Sequence, residues 1–452
     1  MKDLTKDSIV SHILTMAAPI AFGMLIQMAY QLIDIYFVGQ LGEVAVAGVA
    51  SAANLGFLIL ALTQVLGVGT VAVIAHAVGR KDQADATLIF NQSVSMALVC
   101  ALLTIVFGYL FGSSYMASIA ADEASKQEGI TFLYWFLPGM ALQFGLITMG
   151  SALRGTGIVQ PTMVVQMLTA IINAFLAPVL IAGWLTGHPM GVAGAGLATS
   201  ISVLIGVIMM SAYFMKLEHY VKLNPVQLKP QLKQWARMLN VGLPAGGEFA
   251  LMFVYLGVIY YVIGGFGNEA QAGFGFGSRI MQAIMLPAMA IAFAAGPIAG
   301  QNFGAQLPER VKETFFKTAT LSTVIMAAIT VFSILEAELF MHVFTKDPAV
   351  IEVGATFLRF ISLNYIAQGL IFTCSGMFQG LGNTLPSLIS SFTRMVTFVF
   401  PAWWASTQPW FVIEHVWYLS IATVTLQAAV SLLLLRAEFT KRLQALNFSP
   451  AT

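Results

Sequence analysis

Twelve mainly apolar stretches of about 20 residues or more run through this chain, approximately at 13–38, 46–74, 88–111, 130–152, 161–183, 193–215, 238–264, 272–298, 315–336, 355–378, 386–405 and 413–435. Each is long enough to cross a hydrocarbon core of about 30 Å as a helix. Open strands cannot satisfy their backbone in lipid, so the expected fold class is an all-α membrane protein with 12 transmembrane helices. Only 9% of the residues are charged, against roughly 25% in soluble domains, which excludes a soluble protein with a large core.

The net charge of +1 says little by itself, and the distribution of charge is more informative than its sum; no nucleic-acid partner is expected. With the N-terminus placed inside, the inner segments carry sixteen Lys and Arg residues, from Lys2 to Arg442, and the outer ones only Lys126 and Lys346. Acids dominate outside, at Glu43, Asp122, Glu123, Glu128, Glu269, Asp347 and Glu352. The positive-inside rule therefore expects both termini in the cytoplasm and a multi-pass protein embedded in the lipid bilayer. No cleavable signal is expected, because the first apolar run is too long and lacks a small-residue cleavage site. Cys100 and Cys374 both fall in predicted spans, which suggests neither a disulfide nor a metal site. Trp184, Trp403, Trp404 and Trp410 fall near outer span ends and Trp235 near an inner one, as in an aromatic belt.

A single offset of 225 residues links the two halves. Pro19 matches Pro244, Ala47-Gly48 matches Ala272-Gly273, Gly79 matches Gly304, and "TFL" at 131–133 recurs at 356–358. "RGTGIVQP" (154–161) matches "QGLGNTLP" (379–386). Each half then holds six spans, and an even number returns the chain to its starting side. The expected organisation is an N-lobe (1–215), a cytoplasmic linker (216–237) and a C-lobe (238–452). A pseudo-twofold axis along the membrane normal should relate the lobes, with a binding site at their interface. No catalytic set and no phosphate-binding GxxxxGK[ST] motif is present, so transport would draw on an ion gradient.

Intramembrane ionisable residues are functional candidates by default. Pro19, Gly23, Gln27, Gln31 and Asp34 follow helical spacing, with Tyr30 four residues before Asp34, so the first span carries one polar stripe. Burial penalises the charged form of a carboxylate, and that penalty is what proton coupling exploits. The bland alternative is an interfacial acid about five residues from the outer end. Asn173 and Thr199 read alone as helix-packing contacts. Glu248, one turn after Pro244, reads either as an acid favouring a helix N-terminus or as a second protonation or cation site. Arg279, Arg359 and Arg394 are the basic residues inside spans, expected to pair with carbonyls or to snorkel. Asn364 and Gln368 share a face in the tenth span. Met252, Met281, Met285 and Met289 suit either a promiscuous apolar cavity or packing.

Together these motifs are similar to the multidrug and toxic compound extrusion (MATE) family, in its DinF-like branch. They are the first-span Pro-Gln-Asp pattern with "GQLG" (39–42), "GRKDQADA" (79–86), "ALRGTGIVQP" (152–161), "NAFLAPVLI" (173–181) and "GVAGAGLAT" (191–199), echoed by "GLPAGGE" (242–248), "GQNFGAQ" (300–306) and "MFQGLGNTLP" (377–386). The resemblance implies two six-helix lobes in a V around a central cavity. It also implies antiport of organic, often cationic or amphipathic compounds against H⁺ or Na⁺, a bacterial inner-membrane location, a monomer, no cofactor and no enzyme activity. It assigns ion coupling to Asp34 with Asn173 and Thr199. A possible second-lobe site holds Glu248, Gln368 and Arg279, and the substrate cavity takes Gln27, Tyr30, Gln31, Asn364, Met252 and Met285. Ala177 stands where the family's fifth-span motif has Asp, leaving one carboxylate of two, which favours H⁺ over Na⁺.

Two other readings stay open: a lipid-linked saccharide flippase of similar fold, whose cavity would use Arg279, Arg359 and Arg394 on pyrophosphate, and a membrane enzyme with Asp34 as general acid. The topology itself is directly testable. Alkaline phosphatase fused after Asp122 should be active, and green fluorescent protein fused after Asn224 should fluoresce. The reverse pattern would invert the assigned orientation.

Overall fold

The computed structural model describes residues 1–447, and among them it is helical with no β-strand. The first half contains α1 (Ile9–Gly39), α2 (Glu43–Ala53), α3 (Leu55–Gly79), α4 (Gln83–Ile119), α5 (Glu123–Gly155), α6 (Gln160–Ile181) and α7 (Val192–Lys216). The second contains α8 (Leu232–Ile263), α9 (Asn268–Gly304), α10 (Pro308–Leu335), α11 (Ala337–His342), α12 (Pro348–Ile361), α13 (Tyr365–Leu381), α14 (Leu385–Ser406), α15 (Ile413–Glu438) and the short α16 (Gln444–Asn447). α2 and α3 adjoin at Asn54 and form one crossing; α12 and α13 form another through the 3-10 turn Ser362–Asn364.

Eleven helical segments among the described residues are long and apolar enough to cross a membrane, one fewer than the apolar runs suggest. The remaining run is α14. Its 22 residues suffice in length, but Ser387, Ser390, Ser391, Thr393, Arg394 and Thr397 dilute its apolar character.

The chain forms two compact units. Unit 1 holds Met1–Asp3 and Phe22–Gly246; unit 2 holds Leu4–Ala21 and the described residues from Gly247 onward. The boundaries fall inside α1 and α8 rather than in loops, and at equivalent places, since Phe22 and Gly247 are one repeat apart (247 − 22 = 225). Pro19 and Pro244 lie just before these boundaries; each lacks an N–H and so weakens the helix ladder there.

Both units are built on the same plan. α5 is the hub of unit 1, packed by α2, α3, α4 and α7; in unit 2, α9 packs α10, α12 and α13, and α15 packs α13 and α14. The closest crossings recur at the repeat offset. A Cβ on Gly48 would lie 2.6 Å from the Ser125 carbonyl oxygen and 2.8 Å from the Gly129 nitrogen, while Gly129 itself is covered by the Met116 methyl. In unit 2 the same roles fall to Gly273, Gly354 and Met341. Likewise Gly155 rests on Val71 and Ile74, and Gly380 on Gly296 and Ala299. Lipid offers helices no hydrophobic drive to associate, so such backbone approach supplies the packing.

The segment entering α8 is held within unit 1 by two fully buried amides of α4. Asn91 Nδ2 donates to the Lys222 carbonyl (2.9 Å), and its Oδ1 accepts from the Asn224 N–H (2.8 Å). Gln92 Nε2 donates to the carbonyls of Gln227 (2.6 Å) and Lys229 (2.8 Å), and its Oε1 accepts from the Gln231 N–H and the Trp235 indole N–H. Trp235, expected in an interfacial belt, is thus tied down by α4. Beside it Arg237 and Arg80 both bind Asp85 at 2.8 Å. At the outer side Asp122 caps α5 through the Ser125 N–H (2.7 Å), a bond that holds its carboxyl below the usual carboxylate range. Trp184, Trp403, Trp404 and Trp410 are exposed on the molecular surface.

Replacing Gly48 by Val should force α2 from α5. Overpacking typically costs about 1–3 kcal/mol, so the melting temperature of the purified protein should drop. Gly257→Val, where no atom lies within 4 Å of the added Cβ, should leave it nearly unchanged.

Candidate functional site

α8 packs closely on α3, where a Cβ on Gly242 or Gly246 would meet the Val65 and Ala61 carbonyls, whereas α1 meets unit 1 in part through polar side chains. On α1 the predicted stripe straddles the edge of the buried face. Gly23 is buried, Tyr30 and Asp34 are partly buried, and Gln27 and Gln31 are exposed. The stripe spans about 100° of the helix, and only its Gly23–Tyr30–Asp34 margin turns into unit 1.

At that margin the structure brings together Asp34, Tyr30, Asn173 of α6 and Thr199 of α7. Asn173 Nδ2 donates to Asp34 Oδ1 at 2.8 Å. The Tyr30 and Thr199 hydroxyls are 3.4 Å apart, and Tyr30 also bonds the Asp34 carboxylate. Asn173 is fully buried and Thr199 is 5% exposed. One atom is left over: Asn173 Oδ1 is buried with no hydrogen-bond partner. The buried methyl of Ala177 lies one turn further along α6. Among the described residues no group of three or more His, Cys, Asp or Glu side chains could hold a metal ion.

Unit 2 does not repeat this chemistry. One repeat on from Asp34, Asn173 and Thr199 stand Ile259, Phe398 and Val424, all buried and apolar. Its acid is Glu248, whose Oε2 accepts from Ser375 Oγ (3.0 Å) and Ser387 Oγ (2.8 Å). Glu248 precedes the Asp34-equivalent position by eleven residues (259 − 248), about 16 Å along a helix. These two hydroxyl bonds supply Glu248 with specific partners inside the bundle.

The other predicted positions are dispersed. Gln368 Oε1 lies 3.3 Å from Arg394 Nη1. Asn364 is 4% exposed, with neither side-chain polar atom bonded. Met285 is buried in the apolar core of unit 2, with Met281 and Met289 packed against it; Met252 is partly buried. Arg279 is exposed on α9, and Arg359 is exposed and paired with Glu338 at 3.3 Å. Of the three intramembrane arginines only Arg394 turns into the bundle.

Several partners escaped the sequence reading. Tyr255 could have been found, since it is the repeat equivalent of Tyr30. Gln166 of α6, whose Oε1 would lie 2.5 Å from a Cβ on Gly23, could also have been found, because it stands seven residues before Asn173 on the same face. Ser375, Ser387 and Gln427 gave no such signal, because isolated hydroxyls and amides are common in membrane helices.

A family model described as MatE matches the chain twice, over residues 19–179 and 244–404. The two matches are offset by 225 residues (244 − 19), which is the internal repeat. The chain is similar to the FAD transporter of Shewanella oneidensis, with 21% identity covering 86% of each chain. It is also similar to the multidrug export protein MepA of Staphylococcus aureus, with 25% identity covering 83% of each. In fold it resembles the outward-facing conformation of a multidrug resistance MATE family transporter of the MOP superfamily, with a TM-score of 0.91 and 24% identity over 99% of each chain.

Proposed function

Because the chain belongs to the MatE family of multidrug efflux transporters, we propose that it is a proton-coupled exporter of organic, often cationic or amphipathic compounds, with Asp34 as the protonation switch. Members of this family are transporters rather than enzymes, and the many apolar helices make this a multi-pass membrane protein. The proposed setting is a bacterial inner membrane with both termini cytoplasmic, consistent with the charge asymmetry.

The observation that carries the reading is the Asp34–Asn173 pair with its unpaired amide oxygen. A carboxylate is an acceptor only, so it uses the Asn173 N–H and leaves Asn173 Oδ1 without a donor. A protonated carboxyl gains an O–H donor. It can then give to Asn173 Oδ1 while still accepting from Nδ2, the paired bonding of an acid with an amide. Proton binding thus converts a charged pair with one orphan into a neutral pair with none. The pair is one of the polar attachments of α1 to unit 1, so a change in it biases α1 between two packings.

A second reading is favoured by the same atom. Asp34, Asn173 Oδ1, Thr199 Oγ1 and the Tyr30 hydroxyl are oxygen donors of the kind hard cations use, so Na⁺ is the competing coupling ion. Transport in proteoliposomes should follow ΔpH and respond little to Na⁺ at equal pH. Transport driven by Na⁺ alone would decide for the second reading. Under the proton reading, Ala177→Asp, which adds a carboxylate one turn from Asn173, should bring a gain of Na⁺ dependence.

Asp34→Asn reproduces the neutral pairing, so the protein should fold and insert. Its export should fall to the background of cells lacking the protein, measured as ethidium efflux at matched expression, because an amide cannot take up and release the coupling proton. Glu248→Gln serves as the comparison. Normal export by Asp34→Asn with failure of Glu248→Gln would move the coupling site to unit 2.

A further inference from the structure

The segment that joins α7 to α8 carries charge and apolar surface together. Lys216, Lys222, Lys229 and Lys233 are exposed, and none forms an ion pair among the described residues. Met215, Leu217, Leu223, Val226 and Leu232 are exposed among them, Val226 at 84% and Leu232 at 76%. The neighbouring acids are already engaged within unit 1. Asp85 binds Arg80 and Arg237, and Asp82 accepts from the Asp85 N–H and so caps α4. Glu218 is buried, with its Oε1 on the Tyr220 N–H at 2.8 Å. The four lysines are left with no acid to meet.

The backbone that presents them is fixed. Asn91 and Gln92 clasp the carbonyls of Lys222, Gln227 and Lys229. The Tyr220 carbonyl accepts from Gln83 Nε2 at 3.0 Å and from Thr87 Oγ1 at 3.3 Å, and Val221 is fully buried. The segment is thus ordered before any ligand arrives, which removes part of the usual cost of binding. Its location is fixed as well. α7 ends at Lys216 and α8 starts at Leu232, and both are long and apolar enough to cross a membrane. A connection tethered at both ends to spanning helices lies along the bilayer surface. Water penalises the exposed apolar side chains there, whereas the boundary between headgroups and acyl chains accepts apolar side chains and lysines side by side.

We infer that the α7–α8 connection is a dock for anionic phospholipids of the leaflet that these helix ends reach, with Lys216, Lys222, Lys229 and Lys233 on the phosphates and the neighbouring apolar side chains at the acyl boundary. Charge complementarity selects the lipid: an anionic surface attracts each nearby lysine, and a zwitterionic one does not. The tether to the bilayer and the exposed apolar side chains favour lipid over an acidic protein surface. The inference is independent of the transported compound and of the coupling ion.

The test is native mass spectrometry of the full-length protein from micelles holding equal amounts of dioleoylphosphatidylglycerol and dioleoylphosphatidylcholine. Phosphatidylglycerol should be retained about fivefold or more over phosphatidylcholine, the effect of one lysine close to an anionic lipid surface. The combined variant Lys216→Gln, Lys222→Gln, Lys229→Gln and Lys233→Gln should bring the two lipids close to equal retention. The clasp uses backbone carbonyls and not these side chains, so the variant should melt with the wild type. A charge-matched variant in unit 2, Lys312→Gln, Lys317→Gln, Arg436→Gln and Lys441→Gln, should keep the preference. Glycerol phosphate, which has the phosphate without acyl chains, should not displace the bound lipid. Equal retention by the wild type would overturn the dock and leave the lysines to an acidic protein surface. A preference that survives the first variant, or an equal loss in the unit 2 variant, would overturn it too. Displacement by glycerol phosphate would overturn it in favour of a site for soluble anions.

Discussion

In hydrocarbon no water relieves an unpaired polar group, and the placement of polar side chains here follows from that constraint. Hydroxyls within helices turn back onto the carbonyl one turn earlier, as Thr104 does on Cys100, Thr318 on Thr314 and Thr373 on Gly369. Asn91 and Gln92, an unlikely pair for a membrane helix, are absorbed by clasping the backbone that enters α8. Against this background the exceptions are informative. Asn173 Oδ1, both polar atoms of Asn364 and the Arg394 Nε are buried without hydrogen-bond partners, as are the hydroxyls of Thr148, Thr162 and Ser322. Unsatisfied groups of this kind are expected where a proton, an ion or a ligand completes the bonding.

The two units show which parts of such a scaffold are rigid and which are free to diverge. Gly48 with Gly129 and Gly273 with Gly354 keep the same crossing under the same methionine, because any side chain there would collide with backbone. The interior polar positions obey no such restriction. Asp34, Asn173 and Thr199 are replaced in unit 2 by Ile259, Phe398 and Val424, while Glu248 and Arg394 stand where unit 1 has Gly23 and Thr169. Packing geometry has been retained and charge has been redistributed, so one architecture carries two chemically different interiors.

The helices that carry the acids are the two that pass from one unit to the other. α1 and α8 each change unit a few residues after a proline, where the missing N–H weakens the backbone ladder. The first part of α8 is locked to α3 through Gly242 and Gly246, while Asp34 of α1 is held to α6 by the hydrogen bond from Asn173. That polar attachment is sensitive to protonation, whereas a crossing made by glycines against backbone is not.

Span positions, the 225-residue repeat, and the prominence of Asp34 and Glu248 were determined by the sequence alone, because hydrophobic length, glycine spacing and buried charge are each local or periodic signals. Even the shortfall of α14 was latent in its serines and threonines. The pairing of Asp34 with Asn173 joins residues 139 apart, and only family resemblance, not spacing, hinted at it. The turning of Gln27 and Gln31 to the surface, the partners of Glu248, the inward turn of Arg394 and the swapped starts of α1 and α8 were decided by tertiary structure. Helical periodicity says which residues share a face, but which neighbour that face meets depends on how six helices fill space together, and no window along the chain contains that information.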